Sequence, residues 1–250
     1  MTPGVISASD VRELDRYLRE RCPPGAFPMF QRYVTGEVRN VCCFGVEGAL
    51  AAVHEYRDIR RLGGLSVFRE VTLVSPRLRH YAESMLRELD WNGAAHLEFF
   101  VRADGDVRYM ETNGRFWASI AGPIGAGWDF PYWTYQYFAR GERPNAPPPS
   151  FRLGSRSRWH FGDLEALVGC LAGRDVPTEA GPGRLRAVVD YVSSFRPGVR
   201  SDVFRLDDPM PELVEHLRGA RRGIAQSRTA RRLHRVLRPY RALLRRPVRR

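Results

Sequence analysis

The segment "YMETNGRFWAS", Tyr109 to Ser119, carries a carboxylate at Glu111, an amide at Asn113 and a guanidinium at Arg115, framed by Tyr109 before and by Phe116 and Trp117 after. In an extended chain, residues i, i+2 and i+4 share a face, so these three polar groups would stand side by side over an aromatic floor. A further carboxylate, Glu98, lies upstream in "HLEFF" between Leu97 and Phe99, where a charge is costly without a cation or donor partner. The runs "GAAHLEFFVR" and "VRYMET" are separated by "ADGD", a hairpin signal. A hairpin sets residues of its two strands opposite one another, so Glu98, Glu111 and the amide oxygen of Asn113 can converge on one point. That donor set suits a hard divalent cation, with remaining positions left to water and substrate phosphates. The alternative is an exposed strand face with solvated carboxylates.

The elements that would position these groups read as follows. "SASDVRELDRYLRE" opens with Ser7 three residues before Asp10 and sets Val11, Leu14 and Leu18 at helical spacing, which predicts a short amphipathic helix. "FPMFQRYVTGE" and "VRNVCCFGV" are β-rich runs, and "GALAAVHEYRDIR" continues the meander. "SPRLRHYAESMLREL" predicts a helix with Ser75 as cap and Pro76 at its first position. The expected architecture is α+β: an antiparallel sheet with helices on one side, followed by a mainly helical extension. After Pro131 comes the aromatic helix "YWTYQYFARG", then the proline-rich "RPNAPPPS", which forbids helix and suggests a boundary near Asn145. "GDLEALVGCLAG" reads as a helix capped by Asp163 and stopped by Gly173, and "DDPMPELVEHLRGA" as another. The expected organisation is therefore residues 1–145, an accessory extension over 146–217, and a tail over 218–250.

Composition bounds the answer. With 250 residues and 43% hydrophobic content the chain can bury a substantial core. Its longest apolar runs, such as "GALAAV", fall far short of a membrane span, and its start lacks a basic region followed by an apolar one. The expectation is a soluble, cytoplasmic protein. Cys22, Cys42, Cys43 and Cys170 show no C-x-x-C spacing, and Cys42 and Cys43 would point to opposite faces of a strand, as idle thiols in a reducing compartment. The net charge of +12 is concentrated, because Arg218 to Arg250 contains 13 arginines and no acid; without that tail the remainder is −1. All 40 basic residues are arginine.

The order "FQRYVTGE", "HEYRDIRRLGGLSVFRE", "LDWNGAAHLEFF", a D-G turn and "YMETNGRFW" resembles the C-terminal half of the ATP-grasp superfamily, in its carbamoyl-phosphate-synthetase-like and biotin-carboxylase-like members. The resemblance covers roughly residues 5 to 140, with weaker character to about 210. It implies ATP with Mg²⁺, or Mn²⁺ in its place, as cofactors, with Glu98, Glu111 and Asn113 as metal ligands and Arg115 as the arginine that contacts the anionic substrate or acyl phosphate. It makes "QRYV" the adenine segment: backbone around Gln31, Arg32 and Tyr33 at the adenine edge, Val34 on the ring, and Glu37 toward the ribose. "HEYRDIRRL" offers His54, Arg57, Arg60 and Arg61 as anion donors, of which one or two would serve. The chain departs from the family in having about thirty residues before Gln31, where full-length members carry a further domain and a glycine-rich loop with phosphate-gripping lysines. It contains no lysine. A misplaced gene start, a truncated remnant, or a second polypeptide supplying the other half would each account for this.

Two functions follow as expectations. One is an ATP-dependent ligase that phosphorylates a small carboxylate and passes it to an amine; the other is a non-catalytic half-site that holds nucleotide or a partner chain. The tail is a separate matter: "RTARRLHRVLRPYRALLRR" sets Leu233, Val236, Leu237, Tyr240 and Leu244 near one helical face among arginines, which suits an anionic membrane surface or nucleic acid, with a disordered basic tail as the alternative.

Overall fold

The computed structural model describes residues 8–23, 25, 28–144, 153–173 and 183–226, with side chains described as far as residue 219. Helix α1 (Val11–Arg21) is capped by Asp10, whose carboxylate accepts from the Glu13 amide at 2.8 Å, and Glu13 reaches back to Ser9. Ser7, the expected capping residue, lies outside the described residues. The run "FPMFQRYVTGE" differs from expectation. Residues 28–35 form no strand, and Met29, Phe30 and Tyr33 are exposed. No described strand pairs with it, and β propensity of the side chains does not make a strand without such a partner.

Strand β1 (Glu37–Val46) pairs antiparallel with β2 (Ala49–Leu62) on one side, and β2 with β3 (Leu65–Thr72). Helix α2 (Pro76–Glu88) has the expected Pro at its start and returns the chain to β4 (Gly93–Val101) on the other side of β1, followed by β5 (Val107–Asn113) at the edge. Helices α3 (Ala121–Gly125) and α4 (Phe130–Arg140) come next, α4 running from Asp129 to the left-handed Gly141. Then follow β6 (Arg156–Arg158), α5 (His160–Leu171), α6 (Arg184–Ser193), β7 (Val199–Ser201) and α7 (Met210–Gln226). The seven strands form one sheet, ordered β5-β4-β1-β2-β3-β6-β7, antiparallel except for the β6–β7 pair. The α+β architecture is therefore the one expected, although the residues beyond 145 contribute two strands to that sheet as well as helices.

The expectation of helices on one side is corrected. On one face Val41, Cys43, Leu97 and Phe99 pack under Leu78, Ala82 and Leu86 of α2. On the other, Cys42, Phe44 and Tyr56 meet Trp117, Trp128, and Phe130 and Trp133 of α4. The reason is visible in β1: "VCCFGV" is a continuous buried run without polar alternation, and such a strand needs cover on both faces.

A second correction concerns Asp163. It is not the cap of α5, which begins after Trp159; it is fully buried in the first turn. There its carboxylate accepts from Arg60 (Nε to Oδ1 2.6 Å, Nη2 to Oδ2 2.9 Å) and from Arg158 Nε. Arg60 also pairs with Asp190 of α6 and donates to Ser194 at 3.1 Å. The Arg158 guanidinium lies 4.3 Å from the Tyr191 ring and 4.1 Å from that of Phe195. Two guanidiniums are thus held in the interior by two carboxylates, Asp163 shared between them and Asp190 on Arg60, and by two aromatic faces. Asp163→Ala should cost about 3–5 kcal/mol, because it strands Arg60 and Arg158 without their shared acceptor. Denaturant unfolding measures this; a loss below about 1 kcal/mol would show that water or Asp190 takes over the site.

Candidate metal and nucleotide site

The candidate site is built on the face of the sheet opposite α2. In register, Asn40 of β1 lies opposite both Tyr56 and Glu98, Glu98 opposite Glu111, and His96 opposite both Cys42 and Asn113. Since a strand turns alternate residues to one side, Glu111, Glu98, Asn40 and Tyr56 form a row across four strands, with Asn113 and His96 in the row beside it. The loop after β5 folds over this surface. Gly114 allows it, since a Cβ there would stand 2.7 Å from the Trp91 ring. Trp117 then stacks on His96 at 4.9 Å between centroids.

The polar groups are joined by a continuous chain of hydrogen bonds. Asn40 Nδ2 donates to Asp58 at 3.2 Å, which turns the Asn40 oxygen to His96 Nε2, 3.1 Å away. His96 Nε2 therefore carries the proton and Nδ1 accepts, here from Asn113 Nδ2 at 3.4 Å. Asn113 Nδ2 also donates to Glu111 Oε1 at 3.0 Å, so both amide hydrogens are engaged and Oδ1 is the atom left for a ligand. Tyr56 OH stands 3.1 Å from His96 Nε2 and 2.6 Å from Ser119 Oγ. Burial pushes the His96 imidazole down to about 3, with Arg61, Arg115 and Arg69 acting in the same sense, so it stays neutral.

Burial pushes the Glu98 carboxyl up to about 7. Arg61, whose Nη2 is 3.4 Å from Glu98 Oε2, opposes that rise, while the charges of Glu111 and Asp58 add to it. The Glu98–Glu111 pair, with the Asn113 amide nitrogen on Glu111, is a set of hard oxygens that a divalent cation would favour in its ionised form. Among the described residues no group of three or more His, Cys, Asp or Glu side chains is arranged to hold a metal ion.

The structure brings some expected residues together and not others. Glu98, Glu111 and Asn113 are adjacent, and Arg115 follows in the overlying loop, donating to its neighbour's Phe116 carbonyl at 3.0 Å. Arg32, Tyr33 and Val34 line a cleft of about 550 Å³ together with Arg102 and Arg108 at the far end of the β4–β5 hairpin. Glu37 lines a neighbouring cleft of about 670 Å³. Gln31 is exposed in the same irregular segment. His54 is on the candidate face but completely buried, 4.8 Å from the Trp128 ring, and burial pushes its imidazole down to about 3. Arg57 is on the α2 side of the sheet, paired with Glu70 at 3.1 Å, because one step along a strand reverses the face. Of the arginines in "HEYRDIRRL", Arg61 is the one that reaches the carboxylates.

Sequence reasoning missed Asn40, Tyr56, Asp58, His96 and Ser119. For His96 the signal was present, two residues before Glu98 on the same face. Asn40, Tyr56 and Asp58 depend on strand pairing across 16 or more residues, and Ser119 on a loop contact to Tyr56 63 residues away, for which a single chain carries no local mark.

No protein-family model matches the chain, and no curated protein does. Among solved structures it is similar to the biotin carboxylase domain of Hydrogenobacter thermophilus 2-oxoglutarate carboxylase, determined with MgADP, ADP and bicarbonate: 19% identity, TM-score 0.38, over 48% of this chain and 28% of that one. The Campylobacter jejuni biotin carboxylase matches at 16% identity and TM-score 0.39, over 50% and 30%. Rhizobium etli pyruvate carboxylase matches at 16% and 0.38, over 48% and 12%. The chain spans less than a third of the length of each. At these scores the likeness assigns neither family nor chemistry.

The raised Glu98 group gives a pH prediction. Its folded pKa lies above the unfolded value, so its contribution to stability is fully present below about 4.5 and is lost as pH rises through about 7. His54 and His96 act oppositely: depressed to about 3, they favour the folded state above about 6.5 and withdraw that support as pH falls toward 3. Without added cation, the melting-temperature difference between Glu98→Gln and the parent should therefore shift in favour of the variant as pH rises from 5 to 8, while both keep the acid limb set by the histidines. A difference that stays constant over that range would show that Glu98 is ionised throughout.

Proposed function

We propose that this chain supplies the metal and phosphate side of an ATP-dependent carboxylate–amine ligase that works through an acyl phosphate. The observation that carries the reading is the adjacency of Glu98, Glu111 and Asn113 on paired strands, with Arg115 in the next loop. Glu98, Glu111 and Asn113 would hold Mg²⁺, or Mn²⁺, which when bound would neutralise phosphate charge. His96 and Glu111 both engage the Asn113 amide nitrogen, so its oxygen is the atom that would serve the cation. The reading assigns a base and ribose to the two clefts at the hairpin's other end, lined by Arg32, Tyr33, Val34 and Glu37, about 13 Å from Glu98 by four residues of strand. Arg115 would meet the anionic substrate or the acyl phosphate. Trp117 and the α4 aromatics keep water from the floor of the face, where charge interactions strengthen.

Calorimetry with ATP, with and without Mg²⁺, tests the reading. Binding should need the cation, should be weak, near the high micromolar range or about −5 kcal/mol, and should fall at least about tenfold in Glu98→Gln and Glu111→Gln. Binding of equal strength in Glu111→Gln would reject this metal site. ADP release requiring both a carboxylate and an amine marks the ligase, whereas nucleotide binding without release on any pair marks the non-catalytic module.

A further inference from the structure

Helix α6 is inverted with respect to an ordinary surface helix. A helix on a folded domain turns its apolar stripe inward and its polar face to water. In α6 the inward groups are Ala187, Asp190, Tyr191 and Ser194 beyond its end; Asp190 and Ser194 contact Arg60, and Tyr191 stacks on Arg158. The outward groups are Leu185, Val189 and Val192, at 78%, 59% and 62% exposure. Their spacing of four and three residues sets them in one stripe. The buried Arg60–Asp163–Arg158 cluster is what forces this, since it claims the polar side of the helix. The neighbouring α5 repeats the pattern, with Asp163 inward and Leu164, Val168 and Leu171 exposed.

The border of the stripe is cationic. Arg184 and Arg186 are exposed in the first turn of α6, which contains no acid and has no side-chain cap, and Arg196 is exposed just past the last turn. Two cations at a helix N-terminus oppose the helix dipole, an arrangement that an external anion would relieve. The one acid of the helix, Asp190, is turned inward to Arg60. Two copies of this face brought together would oppose arginine to arginine, which disfavours self-association.

We propose that the outward face of α6 docks on an anionic phospholipid surface, with Leu185, Val189 and Val192 entering the acyl-chain boundary and Arg184, Arg186 and Arg196 meeting headgroup phosphates. Apolar side chains flanked by arginine on one helix face are what interfacial binding uses. No described helix is long and apolar enough to cross a bilayer, so the contact is with the surface. The site is independent of the nucleotide reading.

The test is co-sedimentation of the full chain with vesicles of phosphatidylcholine, with or without phosphatidylserine, at low salt and at salt high enough to screen the arginine tail. The parent chain should sediment with the serine-lipid vesicles, weakly at most with phosphatidylcholine alone, and should keep part of its binding at high salt. Val189→Glu with Val192→Glu should lower the high-salt partition roughly tenfold or more. Arg184→Glu with Arg186→Glu should lower the low-salt binding, and all variants should melt with the parent, since these side chains are exposed. Three outcomes would overturn the proposal: a double valine variant that sediments like the parent, which assigns binding to the tail; a parent chain that ignores vesicles; or a parent dimer that the valine variant converts to monomer, which makes a second copy the occupant.

Discussion

Both faces of the central strands are covered, so a polar group aimed inward is favoured where it finds a partner within the fold, although Trp117 Nε1 and the Arg158 Nη atoms make no hydrogen bond. A buried amide or carboxylate left without one costs more than a typical hydrogen bond returns. This constraint organises the candidate face. Asp58, Asn40, His96, Asn113 and Glu111 form a chain of alternating donors and acceptors, and the chain dictates which nitrogen of His96 is protonated and which atom of Asn113 is left over. The orientation of the amide that would meet a cation is thus a consequence of satisfying hydrogen bonds behind it.

The same constraint shapes the far end of the sheet. Arg60 and Arg158 enter the interior, and the cost is offset by Asp163, Asp190 and the rings of Tyr191 and Phe195. Arg69 does likewise against Asp202, with contacts of 2.7 and 3.1 Å. These pairs tie β2 and β3 to residues more than a hundred positions later, joining the segment beyond the proline-rich stretch to the sheet by charge as well as by strand pairing. A charged interior of this kind leaves apolar side chains of α5 and α6 on the outside.

A chain without lysine carries all of this on arginine, and the difference is physical. The planar guanidinium offers several fixed donors and a stackable face, so Arg60 can serve Asp163, Asp190 and Ser194 at once while Arg158 lies between two rings. An ammonium group has neither the span nor the flat face to do so.

Much was legible in the sequence because it depends on near neighbours. The β4–β5 hairpin with Glu98 opposite Glu111, the proline start of α2 and the α+β class all follow from turn chemistry, caps and apolar period over a few residues. What the tertiary structure alone decided were features set by distant pairing. Residues 28–35 have strand-like side chains but no partner strand among the described residues, and they form no strand. Asp163 has the look of a helix cap but is claimed by two arginines, one of them 103 residues away. Arg57 and Arg61 read alike in "HEYRDIRR", yet the face reversal and the bulges in β2 send one to Glu70 and the other to Glu98. The residue types are written in the chain; which face each occupies, and which partner waits there, depends on the register of strands that meet only after folding.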